Sequence, residues 1–326
     1  MLKDTSSRQE SAPAPALGRS AAMREVQALI SRAAPTDASV FLVGESGTGK
    51  DMIAQQIHAL SDRRDGPYIA LNCGAVSSTL AHAELFGHEK GSFTGALART
   101  PGYFEHASGG TLFLDEITEM PIDMQAHFLR VLETGTYRRV GGTDVLRTNV
   151  RIISATNRDP QEAVAQGLLR EDLLHRLLVI PVRVPPLRER VEDIVFLAEQ
   201  VLDDLNRRYG SQKQLGKRLI ESMEAYDWPG NVRELRNVVQ RAYLMCDDVL
   251  QHDLVPTHRT PPPDRGADSL AFAVGTQLSE AQRELISATL ALHHGDKRRA
   301  AATLGISLKT LYNRLNAYGL DAHGAI

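Results

Sequence analysis

The chain has 326 residues, room for about two domains at roughly 150 residues each. Its 42% hydrophobic and 24% charged residues are ordinary for a globular protein, and a formal net charge of −3 excludes a globally basic nucleic-acid binder, so any basic surface is local. Its two cysteines, Cys73 and Cys246, lie far apart without CxxC spacing, which argues against a disulfide framework or a cysteine-ligated zinc site and fits buried thiols in a reducing cytosol.

Met1 to Pro15 is polar and then Ala/Pro-rich, without the apolar core of a signal peptide, and reads as a disordered leader over 1–16. No apolar run approaches the ~20 residues that span a bilayer, so no membrane partner is expected. Met23, Val26, Leu29 and Ile30 recur at helical spacing and predict a helix over Leu17 to Ala34. Val40 to Val43 is a short strand stopping at Gly44, and Asp51 to Leu60 a helix. Further strands are expected at Tyr68 to Leu71, Thr111 to Leu114, Val150 to Ala155 and Ile180 to Val184. Helices fall between them at Thr79 to Phe86, Met124 to Glu133 and Pro160 to Gln166. Strands alternating with helices predict an α/β fold with a parallel sheet covered on both faces, over 17–186. After Pro185-Pro186 the pattern turns all-helical, with helices at Val191 to Arg208, Lys217 to Tyr226 and Val232 to Cys246, giving a helical subdomain over 187–256. Pro261-Pro262-Pro263 and the glycines around it mark a linker over 257–276. A final helical domain covers 277–326.

Three stretches carry chemistry. Gly44-Glu45-Ser46-Gly47-Thr48-Gly49-Lys50 follows a strand and opens a helix, so its backbone N–H groups and the helix N-terminus suit phosphates, with Lys50 reaching the β and γ positions. Asp51 stands where the general motif has a magnesium-binding Ser or Thr. Gly109 to Glu116 is an apolar strand ending in two carboxylates. Asp115 is expected to hold Mg²⁺ and Glu116 to polarise the attacking water. Between these two motifs lies Glu84 to Ala96, where Gly91, Ser92, Gly95 and Ala96 bracket Phe93-Thr94, an extra loop tipped by an aromatic and suited to pushing on a partner. Arg170 and Arg176 are six residues apart and could reach a neighbour's γ-phosphate in a ring of subunits.

Near the C-terminus, Lys297 to Leu315 reads as helix, tight turn at Gly305, helix. Ala300, Ala301, Leu304, Ile306, Leu311 and Leu315 form the buried seam, leaving Ser307, Lys309, Thr310, Asn313 and Arg314 facing outward to bases and phosphates. Gln277 to Ile326 carries six Lys/Arg against four Asp/Glu, a local net charge of +2.

Together these stretches resemble the NtrC-type sigma-54-dependent bacterial transcription activators, a branch of the AAA+ ATPases. The resemblance runs from about Leu17 to Leu320. It rests on Gly44 to Asp51, Asn72-Cys73, Glu84 to Ala96, Gly109 to Glu116, Pro185 to Arg190 and Trp228-Pro-Gly-Asn-Val-Arg-Glu-Leu235, with a Fis-type helix-turn-helix at the end. It implies a P-loop ATPase using ATP and Mg²⁺, with an acidic residue such as Asp51 normal after the lysine. It implies that Asn72 switches Glu116, that Thr156-Asn157 senses the γ-phosphate, that Arg170 and Arg176 act in trans, and that Arg233 is the lid arginine on the nucleotide. Phe93-Thr94 would touch sigma-54. Ser92 departs from the commoner alanine of this loop. The implied partners are sigma-54 RNA polymerase, enhancer DNA and further copies in a ring, a hexamer, in the cytoplasm. Too few residues precede Leu17 for a sensor domain, so control is expected from expression level, a separate regulatory protein or a domain lost by truncation. Two contrasting readings remain. One is a non-catalytic DNA-binding regulator, disfavoured by the complete set Lys50, Asp115, Glu116 and Arg170. The other is a remodeller of a different target, disfavoured by Phe93-Thr94.

Overall fold

The computed structural model describes residues 17–75, 81–93, 95–251, 278–293 and 295–318. The expected leader over 1–16, the linker over 257–276 and Thr94 lie outside them. The chain divides into two units, Met1–Val255 and Pro256–Ile326.

In the first unit, helix α1 (Ala21–Ala33) is capped by Ser20, whose hydroxyl accepts from the Met23 N–H. The strands β1 (Val40–Val43), β2 (Tyr68–Asn72) and β3 (Thr111–Asp115) are followed by an antiparallel ribbon, β4 (Thr136–Tyr137) with β5 (Leu146–Arg147). β6 (Arg151–Thr156) and β7 (Ile180–Arg183) complete the main sheet, whose order is β2-β3-β6-β1-β7 with every pairing parallel. Helices α2 (Lys50–Ala59), α3 (Ala81–Phe86), α4 (Tyr103–His106), α5 (Ile122–Thr134), α6 (Pro160–Ala165) and α7 (Glu171–Leu177) supply the crossovers and covers.

Successive residues of a strand point to opposite faces, and both faces of this sheet are buried. Phe41, Leu112, Leu114 and Ile152 pack on one side with Phe104 and Phe128. Val40, Leu42, Phe113, Ile153 and Ala155 pack on the other with Met23, Ile30, Ile53 and Ile57. That is why the strands read as nearly continuous apolar runs. β6 sits mid-sheet, and all six of its residues are buried.

Beyond Pro185-Pro186 come α8 (Glu192–Tyr209), α9 (Lys217–Glu224) and α10 (Asn231–Met245), tied by a short parallel pair, β8 (Gln214–Leu215) with β9 (Val249–Leu250). Their core gathers Leu187, Ile194, Leu219, Leu235 and Val239 around Trp228, which is fully buried and donates its indole N–H to the Met223 carbonyl. Trp228 and Asn231 both have positive φ, at +52° and +51°. A non-glycine residue pays strain there, so the turn into α10 is held by its surroundings.

The second unit holds α11 (Leu278–Leu292), α12 (Lys297–Thr303) and α13 (Leu308–Ala317). Ala300, Ala301, Leu311 and Leu315 are buried with Ile286 of α11, and Leu304 and Ile306 pack beside them. Asp296 caps α12 by accepting from the Arg298 and Arg299 N–H groups. Gly305, at φ +66°, makes the turn to α13.

Most predicted spans end within one to four residues of the observed elements. Sequence reading gave no element to α7, although Leu173, Leu174 and Leu177 bury one face of it at helical spacing. It also missed α4 and the β4–β5 ribbon, which are too short to show a period.

Candidate nucleotide site

Parallel strands bring the predicted residues to one sheet edge. Gly44 follows β1, and its N–H donates to the Thr156 carbonyl at the end of β6 at 3.2 Å. Val43 pairs with Thr156, and Asn72 pairs with Asp115. Thus the glycine loop, Asn72, Asp115-Glu116 and Thr156-Asn157 all leave the carboxyl ends of neighbouring strands, where ligands of such sheets bind. A Cβ on Gly74 would meet Asn72 Oδ1 at 3.3 Å and Glu116 Oε2 at 3.5 Å, so both expected switch partners flank one glycine. Asn72 Oδ1 accepts from the N–H groups of Gly74 and Ala75. Glu116 has φ +52°, a strained value at the residue expected to do the chemistry, and its N–H donates to Asp115 Oδ1 at 3.0 Å. Asn157 is exposed at the end of β6.

The loop itself is a cradle. Gly49, at φ +102°, precedes α2, and a Cβ there would meet nothing within 4 Å. Lys50 is buried, and its ammonium donates to the carbonyls of Gly44 at 2.8 Å and Glu45 at 3.2 Å. Burial pulls the Lys50 ammonium down, against the raising pull of Asp115, Asp51 and Glu116. Burial and the neighbouring Asp51 raise the Asp115 carboxyl, with Lys50 opposing. Open glycine backbone, an inward lysine and an acid crowded by a second acid fit a phosphate chain with a magnesium ion, which binds through few carboxylates plus phosphate.

The raised Asp115 has a sign. A carboxyl held above its unfolded value costs stability once pH passes the folded value, and the cost fades as pH falls into the ordinary carboxylate range. Asp115→Asn is therefore expected to raise the thermal midpoint of the ligand-free protein by a few degrees at neutral pH. The gain shrinks on acidification, and thermal scans across that range check it.

The helical subdomain closes directly on this loop. A Cβ on Gly47 (φ +80°) would lie 2.4 Å from the Gly230 carbonyl, so only glycine fits. Arg233 donates its backbone N–H to Gly47 O at 3.3 Å and its guanidinium to Ser46 Oγ at 3.0 Å. Arg188 grips the Glu45 carboxylate with both Nη atoms, at 2.8 and 2.6 Å. Arg190 is buried, and its Nη2 donates to Thr48 O at 2.8 Å. Sequence reading quoted Pro185 to Arg190 as a motif but gave Arg188, Arg190 and Asn231 no role. The motif's two arginines were the available signal.

Arg170 and Arg176 do not join this cluster. Arg170 stands at the N-cap position of α7, where its side chain pairs with Asp172 at 2.7 Å and makes no capping bond, while Arg176 donates to Leu132 O. Neither guanidinium bonds the glycine loop. Cys73 is buried next to the site, and burial, Asp115 and Glu116 push its thiol up to about 12.

The central loop differs from its expectation. Phe93 does not stand free as a tip. Its ring packs edge-on against His88, centroids 5.0 Å apart, and is 36% exposed, whereas Leu97 is 86% exposed. Apolar surface at Phe93 finds a partner within reach, and Leu97 does not. Gly91 and Ala96 close the loop through Gly91 N–H to Ala96 O at 2.8 Å, and Gly95 has φ +110°. Ser92 packs against Gly141, and its hydroxyl is buried without a partner, so a smaller alanine would fit there. Below the loop, buried Arg139 binds Glu105 through Nε (2.8 Å) and Nη2 (2.5 Å) and Glu89 through Nη1 (3.0 Å).

In the second unit, Ser307, Lys309 and Asn313 are exposed, but Thr310 and Arg314 are half-buried. The Ser307 hydroxyl accepts from the Thr310 N–H and meets its Oγ1, so the pair caps α13. Arg314 donates to Gln282 of α11. Tyr312, 46% exposed and 5.0 Å from the Lys297 ammonium, was not foreseen. Its place outside the apolar seam was the signal.

A glycine loop between β1 and α2, an acidic end to the adjacent-but-one strand and a helical subdomain clasping the loop define a P-loop NTPase of the AAA+ type. A family model described as the sigma-54 interaction domain matches residues 16–183, an AAA+ ATPase lid model matches 188–269, and a Fis-family bacterial regulatory protein model matches 277–318. The chain belongs to the family of NtrC-type sigma-54-dependent transcriptional activators. It is 39% identical to the DNA-binding transcriptional regulator NtrC of Rhizobium meliloti (strain 1021), over 95% of this chain and 70% of that protein. It is 41% identical to the nitrogen fixation protein VnfA of Azotobacter vinelandii, over 95% of this chain and 60% of that one. Among solved structures, NtrX from Brucella abortus in complex with ATP superposes with a TM-score of 0.67 at 34% identity, covering 93% of this chain and 68% of NtrX. NtrX has also been solved with ADP, at TM-score 0.68. Among the described residues, no helix is long and apolar enough to cross a membrane.

Proposed function

We propose that this chain hydrolyses ATP in a cytoplasmic ring, a hexamer, and uses the energy to remodel sigma-54 RNA polymerase at promoters while its Fis-type unit holds upstream enhancer DNA. The convergence of the glycine loop, Asp115-Glu116 and the helical subdomain at one sheet edge supports it most. Bound ATP supplies the phosphoanhydride bond, and Mg²⁺ neutralises its charge. Lys50 and the N–H groups of Gly44 to Asp51 bind the phosphates, and Asp115 holds the cation. Glu116 accepts the water's proton, and Asn72 sets when it can. Asn157 senses the γ-phosphate, Arg233 contacts the nucleotide, and Arg170 and Arg176 complete a neighbour's site. Gly91 to Ala96 contacts sigma-54, with Phe93-Thr94 central. Ser307, Lys309, Thr310, Asn313 and Arg314 face DNA, the two capping hydroxyls and Arg314 also serving the fold. A separate protein can supply the regulatory signal.

The test is reconstituted transcription. With sigma-54 holoenzyme, ATP and a template carrying the upstream site, the purified protein is expected to open the promoter. Thr94→Ala is expected to keep ATP turnover within about threefold, a change of under ~1 kcal/mol, and to abolish opening. Loss of both activities together counts against the loop's role. ATP turnover without promoter opening by the unaltered protein would sink the proposed target.

A further inference from the structure

Asn231 is fully buried and starts α10 with φ +51°. Its side chain touches three separate stretches. Oδ1 accepts from the Leu187 N–H at 2.7 Å, just past the Pro185-Pro186 junction. Nδ2 donates to Glu45 Oε2 and to Ser46 O, both at 3.1 Å. The amide can therefore face only one way: its oxygen meets a donor, its nitrogen two acceptors. Both amide hydrogens and the oxygen are committed, and nothing about this residue is spare.

The consequences converge on the nucleotide loop. Arg188 also grips Glu45, through both carboxylate oxygens, sharing Oε2 with Asn231, and the Arg188 bond, ahead of the Asn231 bond, holds its carboxyl below the usual range. Two residues beyond Asn231, Arg233 bonds Gly47 O and Ser46 Oγ. So the carbonyls of Ser46 and Gly47 turn toward the helical subdomain, each held by a donor from α10. A peptide whose carbonyl is fixed outward has its N–H side fixed as well. The strained backbone at Asn231 is stabilised by these same bonds.

We propose that Asn231 is a positioning residue for nucleotide binding: it locks the glycine loop, the Pro185-Pro186 junction and the Arg233 turn into one unit, so that phosphate-binding geometry is formed before ATP arrives. This rests on reading Gly44 to Asp51 as an ATP site. Asn231 need not touch the nucleotide. Its effect falls on ground-state affinity, which lowers KM without raising kcat.

Asn231→Asp keeps the shape, tolerates the left-handed backbone and replaces the donor nitrogen by an oxygen facing Glu45. Asn231→Gly keeps the backbone and removes the side chain. Affinity for a fluorescent ATP analogue, ATP kinetics and the thermal midpoint are measured on the full chain. Both variants are expected to weaken the analogue about tenfold or more, as loss of bonds to charged and buried acceptors does. KM should rise in parallel, with kcat changed less than about threefold. Folded variants that bind the analogue as the unaltered protein does, with only a lower thermal midpoint, would show a structural role alone and overturn the inference. If the unaltered protein binds the analogue but does not turn ATP over, the ATPase reading fails while the affinities still judge Asn231.

Discussion

Glu116→Gln is expected to bind ATP with affinity within about threefold of the unaltered protein and to lose turnover by about 10²–10⁴-fold, the usual worth of a positioned general base. Gln is isosteric with Glu and keeps its hydrogen-bonding reach, but it cannot take a proton from water. The proposed role of Glu116 is to take that proton. Glu116 leaves β3 in a left-handed conformation, φ +52°, with its N–H bonded to the Asp115 carboxylate and its own carboxylate against Gly74 beside Asn72. That strain is retained at a position where an ordinary strand end would relax. The proposed roles of the neighbouring acids differ. Asp115 is crowded by burial and Asp51, which suits it to a cation, whereas Glu116 is aimed by its backbone. Steady-state hydrolysis and equilibrium binding of a fluorescent nucleotide measure the two halves separately. Near-normal turnover in this variant would remove Glu116 from the chemistry. Turnover absent in the unaltered protein as well would favour a regulator whose nucleotide only governs assembly.

Arg139→Met is expected to cost about 3 kcal/mol of stability, at the lower end for breaking a buried ion pair because the two carboxylates keep some water. Arg139 is 4% exposed along its side chain, against 23% for Glu105 and 33% for Glu89. Met replaces the stem's packing but takes the bonded cation from both Glu105 and Glu89, leaving only Arg99, 3.9 Å from Glu89 and largely exposed. The thermal midpoint should fall by roughly 6–12 °C. The pH dependence follows from Glu105, whose carboxyl is held below its ordinary value first by the Arg139 hydrogen bond. Stability from a depressed carboxylate is fully present above the unfolded pKa and is lost as pH falls through the folded one. The gap between Arg139→Met and the unaltered protein should therefore be widest at neutral pH and close in acid. A pH-independent gap would mean that packing, not charge, is what Arg139 supplies. The same substitution loosens the base of the central loop. Glu89 and Gly87 are backbone-bonded to Val140, and Glu89 is Arg139's second partner. Proteolysis between Gly87 and Thr100 should accelerate.

The sheet, the phosphate loop, the acidic strand end and the helix-turn-helix were legible because each is written locally. Short apolar runs along β1, β3 and β6, period 3.6 along α5 and α10, and the glycines of Gly44 to Lys50 act over a few residues and need no partner to be recognised. The seam of Ala300, Ala301, Leu311 and Leu315 was legible for the same reason.

Other features were decided only when distant segments met. Arg188 finds Glu45 across 143 residues, and Asn231 reaches Glu45 across 186. Phe93 folds onto His88, and Arg314 turns to Gln282 instead of standing free. A polar side chain carries no period that names its partner. Its bond depends on which loops the packed core brings within about 3 Å, a distance fixed by the whole fold. Apolar residues need only the right face, and the local sequence states that. Hydrogen-bond partners need a particular neighbour, and only the tertiary structure chooses it.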